Sequence, residues 1–240
     1  LRCLVGSEMC IRDSDGEFSR KIDSQDEDIG SRAVIRNARE LVWYPSEVDT
    51  SIRTGWFYHP EEDTDVRTAG ELLDIYLDAV GANASLLLNI PPDTHGRIAA
   101  PDCASLTELG TKIQQIFASN VTEKAAITAD SAIAQHPIIQ AVDGMADTYW
   151  QAAYGQESDT ITLNFPKPQK VSCVVLGEHL PTGQRIERGE IWADESKVAE
   201  FTVVGHKRIC RFAPVDVLTL TIKITASRTE PTLRLLEVYQ

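Results

Sequence analysis

The 240-residue sequence predicts an α/β region followed by an all-β region. In the first half, apolar runs of strand type alternate with helical patterns, and "ASLLLNIPP" (84–92) is an unbroken apolar run, typical of a parallel strand buried on both faces. From residue 128 onward, short runs such as "DTITLNF" alternate apolar and polar residues between turn signals, which indicates a β-sandwich. The composition changes at 121–127, where we place a linker between the two regions.

Four further segments define the α/β region. The run "ELVWY" (40–44) suits a buried strand that ends at Pro45, and a long loop follows it. "TAGELLDIYLDAVG" (68–81) has the spacing of an amphipathic helix with Gly81 as its cap, and 101–119 predicts a second helix. The alternation of strands, loops and helices indicates part of an α/β layered or barrel fold.

The charge of the chain limits its partners. The formal net charge is −13, and residues 1–120 carry 21 acidic side chains against 11 basic ones. An acidic surface repels phosphate groups, so we expect neither nucleic acid nor a membrane surface as a partner. The five cysteines form no C-x-x-C pair, which argues against a zinc site, and we expect no cofactor for catalysis.

Aromatic residues and carboxylates are concentrated in "WYPSEVDTSIRTGWFYHPEED" (43–63). A loop that follows a barrel strand lies at the barrel's catalytic face, which would place Glu47 and Asp49 there, with Trp56 and His59 nearby. Sugar pockets combine carboxylates for acid–base work with aromatic faces that contact C–H groups. The alternative is a solvated acidic loop whose aromatic side chains pack in the core.

Three runs in this region resemble glycoside hydrolase family 29, the α-L-fucosidases: "WYPSEVDTSIR", "GWFYH" and "LLLNIPPD". The resemblance extends over about residues 30–118 and is closest to the bacterial subgroup that prefers α-1,3/1,4-linked fucose. It implies that 15–120 is the C-terminal part of a catalytic (β/α)8 barrel. It also implies a retaining mechanism with two carboxyl groups and fucosylated oligosaccharides or glycoconjugates as substrates.

The resemblance assigns roles to individual residues. Glu47 matches the candidate acid/base residue, and Asp49 is a candidate partner that orients it. Trp43, Trp56 and His59 are candidate substrate-binding residues. Two alternatives stay open, because Asp49 could instead form a salt bridge with Arg53 and His59 could be structural.

One part of the family pattern is missing from the sequence. The family's nucleophile is an aspartate on an earlier barrel strand, and no such strand is predicted here. Residues 1–14 resemble a translated sequencing adapter or a disordered terminus, so we expect a truncated chain that is inactive by itself. Fucosylated glycans lie outside the cell, which predicts a secreted or periplasmic parent protein.

The all-β region, 128–240, resembles discoidin-like (coagulation factor 5/8 C-type) domains of the galactose-binding-like jelly-roll class. The resemblance implies a structural calcium ion held by Asp143, Thr148 and Glu237, with Asp147 beside them. The alternative is a turn whose side chains only bond the backbone. A second function follows from the same resemblance: a carbohydrate-binding module that tethers a partner to glycans without catalysis.

Overall fold

The computed structural model describes residues 47–240 in full, together with Arg32 and the backbone of three short strands before residue 47. The α/β part contains, in chain order, β1 (Arg2–Leu4), β2 (Cys10–Ile11), β3 (Leu41–Val42), β4 (Glu47–Ser51), α1 (Ala69–Val80), β5 (Ser85–Asn89) and α2 (Ala100–Ile116). The all-β part contains β6 (Ala126–Ala129), β7 (Trp150–Gln151), β8 (Asp159–Gly177), β9 (Ile186–Ala193), β10 (Ser196–Phe201), β11 (Arg208–Ser227), β12 (Thr232–Leu233) and β13 (Leu235–Tyr239).

The two helices form where the sequence predicts them. Thr68 caps α1 and forms a capping box with Glu71, which satisfies free backbone groups at the helix start. Gly81 ends α1 in a right-handed conformation, so its role is steric: a Cβ there would lie 2.2 Å from the Leu77 carbonyl oxygen. Among the described residues, no helix is long and apolar enough to cross a membrane.

β4 and β5 are parallel neighbours, with Ser51 opposite Asn89 at their carboxyl ends. This confirms the parallel pairing that "ASLLLNIPP" predicts. The prediction that β5 is buried on both faces is wrong, because Leu87 is 51% exposed. The prediction that a long loop follows residue 44 is also wrong in part, because residues 47–51 form β4.

The all-β part is an antiparallel sheet in the order β10-β9-β11-β8-β13, and β6 pairs with β8 as well. The long strands β8 and β11 each merge two runs that the sequence separates. Residues 165–168 of β8 stand opposite Leu218 alone, since Asn164 pairs with Thr219 and Gln169 with Val217. Two prolines lie in this bulge, where no backbone N–H is needed for hydrogen bonds to the neighbouring strand. They therefore change the pairing register of β8 without ending the strand.

One hydrophobic core lies inside this folded sheet. Trp150, Leu163, Leu176, Leu220 and Val238 are fully buried in it. The observed topology is mostly β with few helices. The jelly-roll assignment of 128–240 and the domain boundaries at 14, 120 and 127 stay predictions.

The α/β and all-β parts are joined along one side. Ile209 donates its backbone N–H to the Gly81 carbonyl oxygen at 3.0 Å. The ring of Phe117, which follows α2, meets Tyr239 edge-on at 5.2 Å. Burial raises the pKa of the Cys173 thiol in the same cluster to about 11, so this cysteine stays neutral and acts as a packing residue.

Gly189 should be required by packing. A Cβ at this position would lie 2.2 Å from the Phe201 ring and 2.7 Å from the Lys223 carbonyl oxygen. We expect Gly189→Ala to lower the free energy of unfolding by about 1–3 kcal/mol, measured by urea denaturation. The control is Gly110→Ala in α2, where nothing lies within 4 Å of the new methyl group; we expect it to stabilise by about 0.5–1 kcal/mol. Equal effects at both glycines would contradict this packing.

Glu230 should give the all-β part a pH-dependent stability. Hydrogen bonds from the Gly155 backbone N–H and the Thr229 hydroxyl lower the pKa of Glu230 from 4.5 to about 2. A carboxyl group whose pKa is lower in the folded state than in the unfolded state stabilises the fold at pH values above the unfolded-state pKa. This stabilisation is lost as the pH falls through the folded-state pKa. The stability difference between the wild type and Glu230→Gln should therefore be present at neutral pH and disappear between pH 4.5 and about 2. Glu195→Gln, an exposed change in the turn after β9, is the control for the loss of one negative charge.

Candidate active site

The loop that leaves β4 begins beside the end of β5. The Asn89 side chain donates one hydrogen bond to Ser51 Oγ at 3.1 Å and another to the Trp56 carbonyl oxygen at 3.0 Å. Ser51 Oγ donates in turn to the Gly55 carbonyl oxygen at 2.7 Å. The carboxyl ends of the parallel strands β4 and β5 lie at the same edge of the sheet. The side chains of Ser51 and Asn89 therefore meet there and hold the loop against that edge.

Arg53 holds this loop from its buried side, and the Arg53 side chain is fully buried. Its Nε donates to Asp102 Oδ2 at 3.1 Å, and one terminal nitrogen contacts Asp102 Oδ1 at 3.0 Å and Asp63 Oδ1 at 2.7 Å. The other terminal nitrogen donates to the His59 carbonyl oxygen at 3.2 Å. The Tyr58 ring covers the guanidinium group, with its centroid 4.7 Å from Cζ. One cation therefore joins β4, α2 and the loop.

Charge complementarity keeps Arg53 ionised. Burial acts to lower its pKa, and the hydrogen bonds to Asp102 and Asp63 more than offset that effect, so the pKa is raised. Asp102 is itself fully buried near the start of α2. The alternative in which Asp49 pairs with Arg53 is wrong, because Arg53 pairs with Asp63 and Asp102.

The aromatic residues of the loop face two directions. Tyr58 lies on Arg53, whereas Trp56 is 43% exposed and Phe57 is 77% exposed. Trp56 is thus accessible, and its substrate-binding role stays a prediction. His59 is exposed, and its carbonyl oxygen binds Arg53, which gives its backbone a structural role.

The predicted catalytic carboxylates lie within β4, on one face of it. Glu47 is the first residue of the strand and Asp49 the third, so both side chains are half-buried on the same side. Asp49 pairs with Leu87 of β5, and its buried Oδ1 has no hydrogen-bond partner in the described part of the chain. On its other side Asp49 stands opposite Arg2 of β1, whose side chain lies outside the described residues. The loop with Trp56 leaves the opposite, carboxyl end of β4.

The structure also shows which site residues the sequence reasoning missed. Asp63, Asn89 and Asp102 hold the loop together, and none was predicted to do so. Asn89 did carry a signal, as the polar residue that ends the apolar run of β5. Asp102 did not, because an acidic residue near a helix start is explained by the helix dipole alone. Trp43 lies outside the described residues.

The predicted calcium ligands have other neighbours in this structure. Thr148 Oγ1 donates to both carboxylate oxygens of Asp143, at 2.9 and 2.8 Å, and the Met145 N–H donates to Oδ1 at 2.9 Å. Glu237 lies on β13 beside Tyr239, on the side of the strand that faces Phe117. This geometry is that of the alternative turn, in which Asp and Thr bond locally. The calcium site stays a prediction.

The α/β part of the chain matches a known family model. The α-L-fucosidase family model matches residues 8–115. Over this segment the chain is similar to the α-L-fucosidases.

Several proteins named as fucosidases are similar to this chain over a longer stretch. α-L-Fucosidase 1 of Arabidopsis thaliana is 31% identical over 208 residues, which is 82% of this chain and 41% of that protein. A provisionally assigned α-L-fucosidase from Bacteroides thetaiotaomicron superposes with a TM-score of 0.78 at 30% identity, covering 85% of this chain and 46% of the other. A Ruminococcus gnavus family 29 fucosidase, solved in complex with fucose, superposes with a TM-score of 0.76 at 28% identity, covering 83% and 42%. The chain spans about two fifths of the length of the curated relatives it matches.

Removing the Arg53 cation should loosen the candidate site. Arg53→Ala leaves the buried Asp102 carboxylate without its partner, so we expect a loss of about 3–5 kcal/mol in the free energy of unfolding of the α/β part. Arg53→Lys should recover part of that loss and still speed hydrogen exchange in residues 54–63, because an ammonium cannot make the bidentate contact.

The matched control is Arg97→Ala. Arg97 is an exposed arginine that contacts Asp93 at 3.8 Å, and its removal should change stability by less than about 1 kcal/mol. If Arg53→Ala were as mild as Arg97→Ala, the buried cation would not be the anchor of the loop.

Proposed function

We propose that this chain is the C-terminal portion of a retaining α-L-fucosidase, an exo-glycosidase that releases terminal L-fucose from glycans. The observation that carries the proposal is the family match over residues 8–115. Two separate features support it: Glu47 and Asp49 share one face of β4, and the loop at the opposite, carboxyl end of that strand presents the exposed Trp56. Carboxylates and an exposed aromatic ring are the groups that a glycosidase subsite requires.

In this proposal Glu47 is the acid/base residue. It protonates the glycosidic oxygen as the bond to fucose breaks, and it later takes a proton from the water that releases the sugar. Asp49 lies two residues along the same face and orients Glu47. Trp56, His59 and Trp43 contact the sugar. The nucleophile is supplied by a part of the protein that this chain does not include, so the chain alone is inactive.

Several finer features are proposed with it. The substrates are fucosylated oligosaccharides or glycoconjugates, with the α-1,3/1,4 preference of the bacterial subgroup, and the protein acts outside the cytoplasm. Residues 128–240 form a discoidin-like domain that follows the catalytic domain.

The test uses two proteins and an aryl α-L-fucoside. The 240-residue chain by itself should show no turnover above background. A chimaera should be active if residues 47–240 replace the matching C-terminal part of the Bacteroides thetaiotaomicron relative. In that chimaera Glu47→Gln should lower kcat by about 10²–10⁴-fold on a substrate with a poor leaving group, and by much less on a dinitrophenyl fucoside, whose departure needs no proton.

Two controls make this test specific. Glu61→Gln removes an exposed carboxylate of the same loop region and should leave kcat unchanged. Asp49→Asn should not show the leaving-group dependence, since it donates no proton to the substrate. An inactive chimaera with intact folding would contradict the proposed function. Equal losses by Glu47→Gln on both substrates would remove Glu47 from the acid/base role. Turnover by the isolated chain would refute its inactivity.

A further inference from the structure

Three aromatic rings stack on one another in the loops of the all-β part. The Tyr149 ring centroid lies 3.9 Å from the His136 centroid, with 19° between the planes, and 3.9 Å from the His179 centroid, with 9° between the planes. Two rings cannot share one face of a third at this distance, so the imidazoles lie on opposite faces of Tyr149. The stack joins the loop after β6, the loop before β7 and the loop after β8.

The two imidazoles differ in their hydrogen-bond partners. His136 Nδ1 lies 3.2 Å from Gln140 Oε1, which can accept a hydrogen bond from it. His179 Nδ1 is buried and has no hydrogen-bond partner within residues 47–240. Both ring nitrogens of a protonated histidine are donors, so protonation of His179 in the stack would place an N–H where no acceptor lies. A buried donor without an acceptor is costly, which disfavours the protonated form.

The charges around His179 also disfavour its protonation. Arg185, in the same loop, and Arg234, between β12 and β13, are nearby cations, and a protonated His136 would add a third. Asp147, in the loop before β7, acts in the opposite direction. Burial, followed by these positive charges, lowers the pKa of His179 below its ordinary value of 6.5.

The loop that carries His179 is held by local hydrogen bonds. The His179 carbonyl oxygen accepts from the Thr182 N–H at 3.1 Å and from Thr182 Oγ1 at 2.8 Å. The carboxylate of Glu178, the preceding residue, accepts from the N–H groups of Arg185 and Ile186 at 2.6 and 2.8 Å. A displacement of His179 therefore acts on the backbone of residues 178–186.

We propose that the ring stack of His136, Tyr149 and His179 is a pH-sensitive contact, which orders residues 178–186 at neutral pH and releases them when His179 gains a proton. The protonated ring leaves the stack because only outside it can water accept from Nδ1. The proposal concerns the all-β part and does not depend on hydrolysis by the candidate active site. In an acidic medium this loop loosens while the core around Trp150 stays folded.

The test is amide hydrogen exchange of the 240-residue chain, followed by NMR at several pH values and corrected for the intrinsic pH dependence of exchange. The folded-state pKa of His179 is lowered, so the stack stabilises the loop above pH 6.5, and this stabilisation is lost as the pH falls through the folded-state pKa. Within that window, opening of the loop should increase about tenfold for each pH unit. The amides to follow are those of Thr182, Gly183 and Ile186, which donate hydrogen bonds within this loop.

Three variants separate the titration of His179 from other effects of pH. His179→Phe keeps a ring on Tyr149 but cannot take up a proton, so its loop should stay protected from about pH 7.5 to about pH 5.5. Tyr149→Phe keeps the stack and should retain the wild-type response. His95→Phe, a matched change of an exposed histidine in the α/β part, should leave the response unchanged.

The histidine signals of the wild type keep the test decisive if His179→Phe does not fold, which thermal unfolding checks. His179 should titrate below pH 6.5 in the folded chain, together with the loss of amide protection. The proposal is overturned if His179 titrates at or above that value, if the loop amides are equally protected across the range, or if His179→Phe keeps the wild-type response. An equal loss of protection at Leu163 and Leu220 in the core would show global acid unfolding and would overturn it too.

Discussion

The buried Arg53 guanidinium group is the interaction on which the candidate active site depends. It lies where three parts of the chain converge: the end of β4, the start of α2 and the loop between them. A buried cation is stabilised only by close and well-directed anions, and here two carboxylates and one carbonyl oxygen surround it. The loop that presents Trp56 therefore owes its shape to a charge that faces away from solvent.

The same loop separates aromatic side chains that contact Arg53 from aromatic side chains that are exposed. Tyr58 and the His59 carbonyl oxygen contact Arg53, while Trp56 and Phe57 remain exposed. Neighbouring residues in one short, bent run thus have different surroundings. The buried side of the loop is held by these contacts, so the exposed aromatic rings are carried on a fixed backbone.

The all-β part supports the α/β part through a small set of backbone contacts. Asn83 has a left-handed conformation (φ 72°), and its side chain accepts a hydrogen bond from the His206 N–H. Gly205 (φ 59°) lets these two segments approach each other, since a Cβ there would lie 2.4 Å from the Asn83 side chain. These contacts hold the turn between α1 and β5, so the all-β part helps to position the strand that ends at Asn89.

Local patterns in the sequence determined the helices, the parallel strand "SLLLN" and the similarity of residues 8–115 to the α-L-fucosidases, because periodicity, caps and family motifs are properties of contiguous residues. Tertiary structure decided the rest. It merged separate runs into the long strands β8 and β11, since prolines in a bulge interrupt a pattern without ending a strand. It also chose Asp63 and Asp102, and not Asp49, as the partners of Arg53, because the energy of a buried charge depends on which anions the fold brings within about 3 Å and not on their distance along the chain.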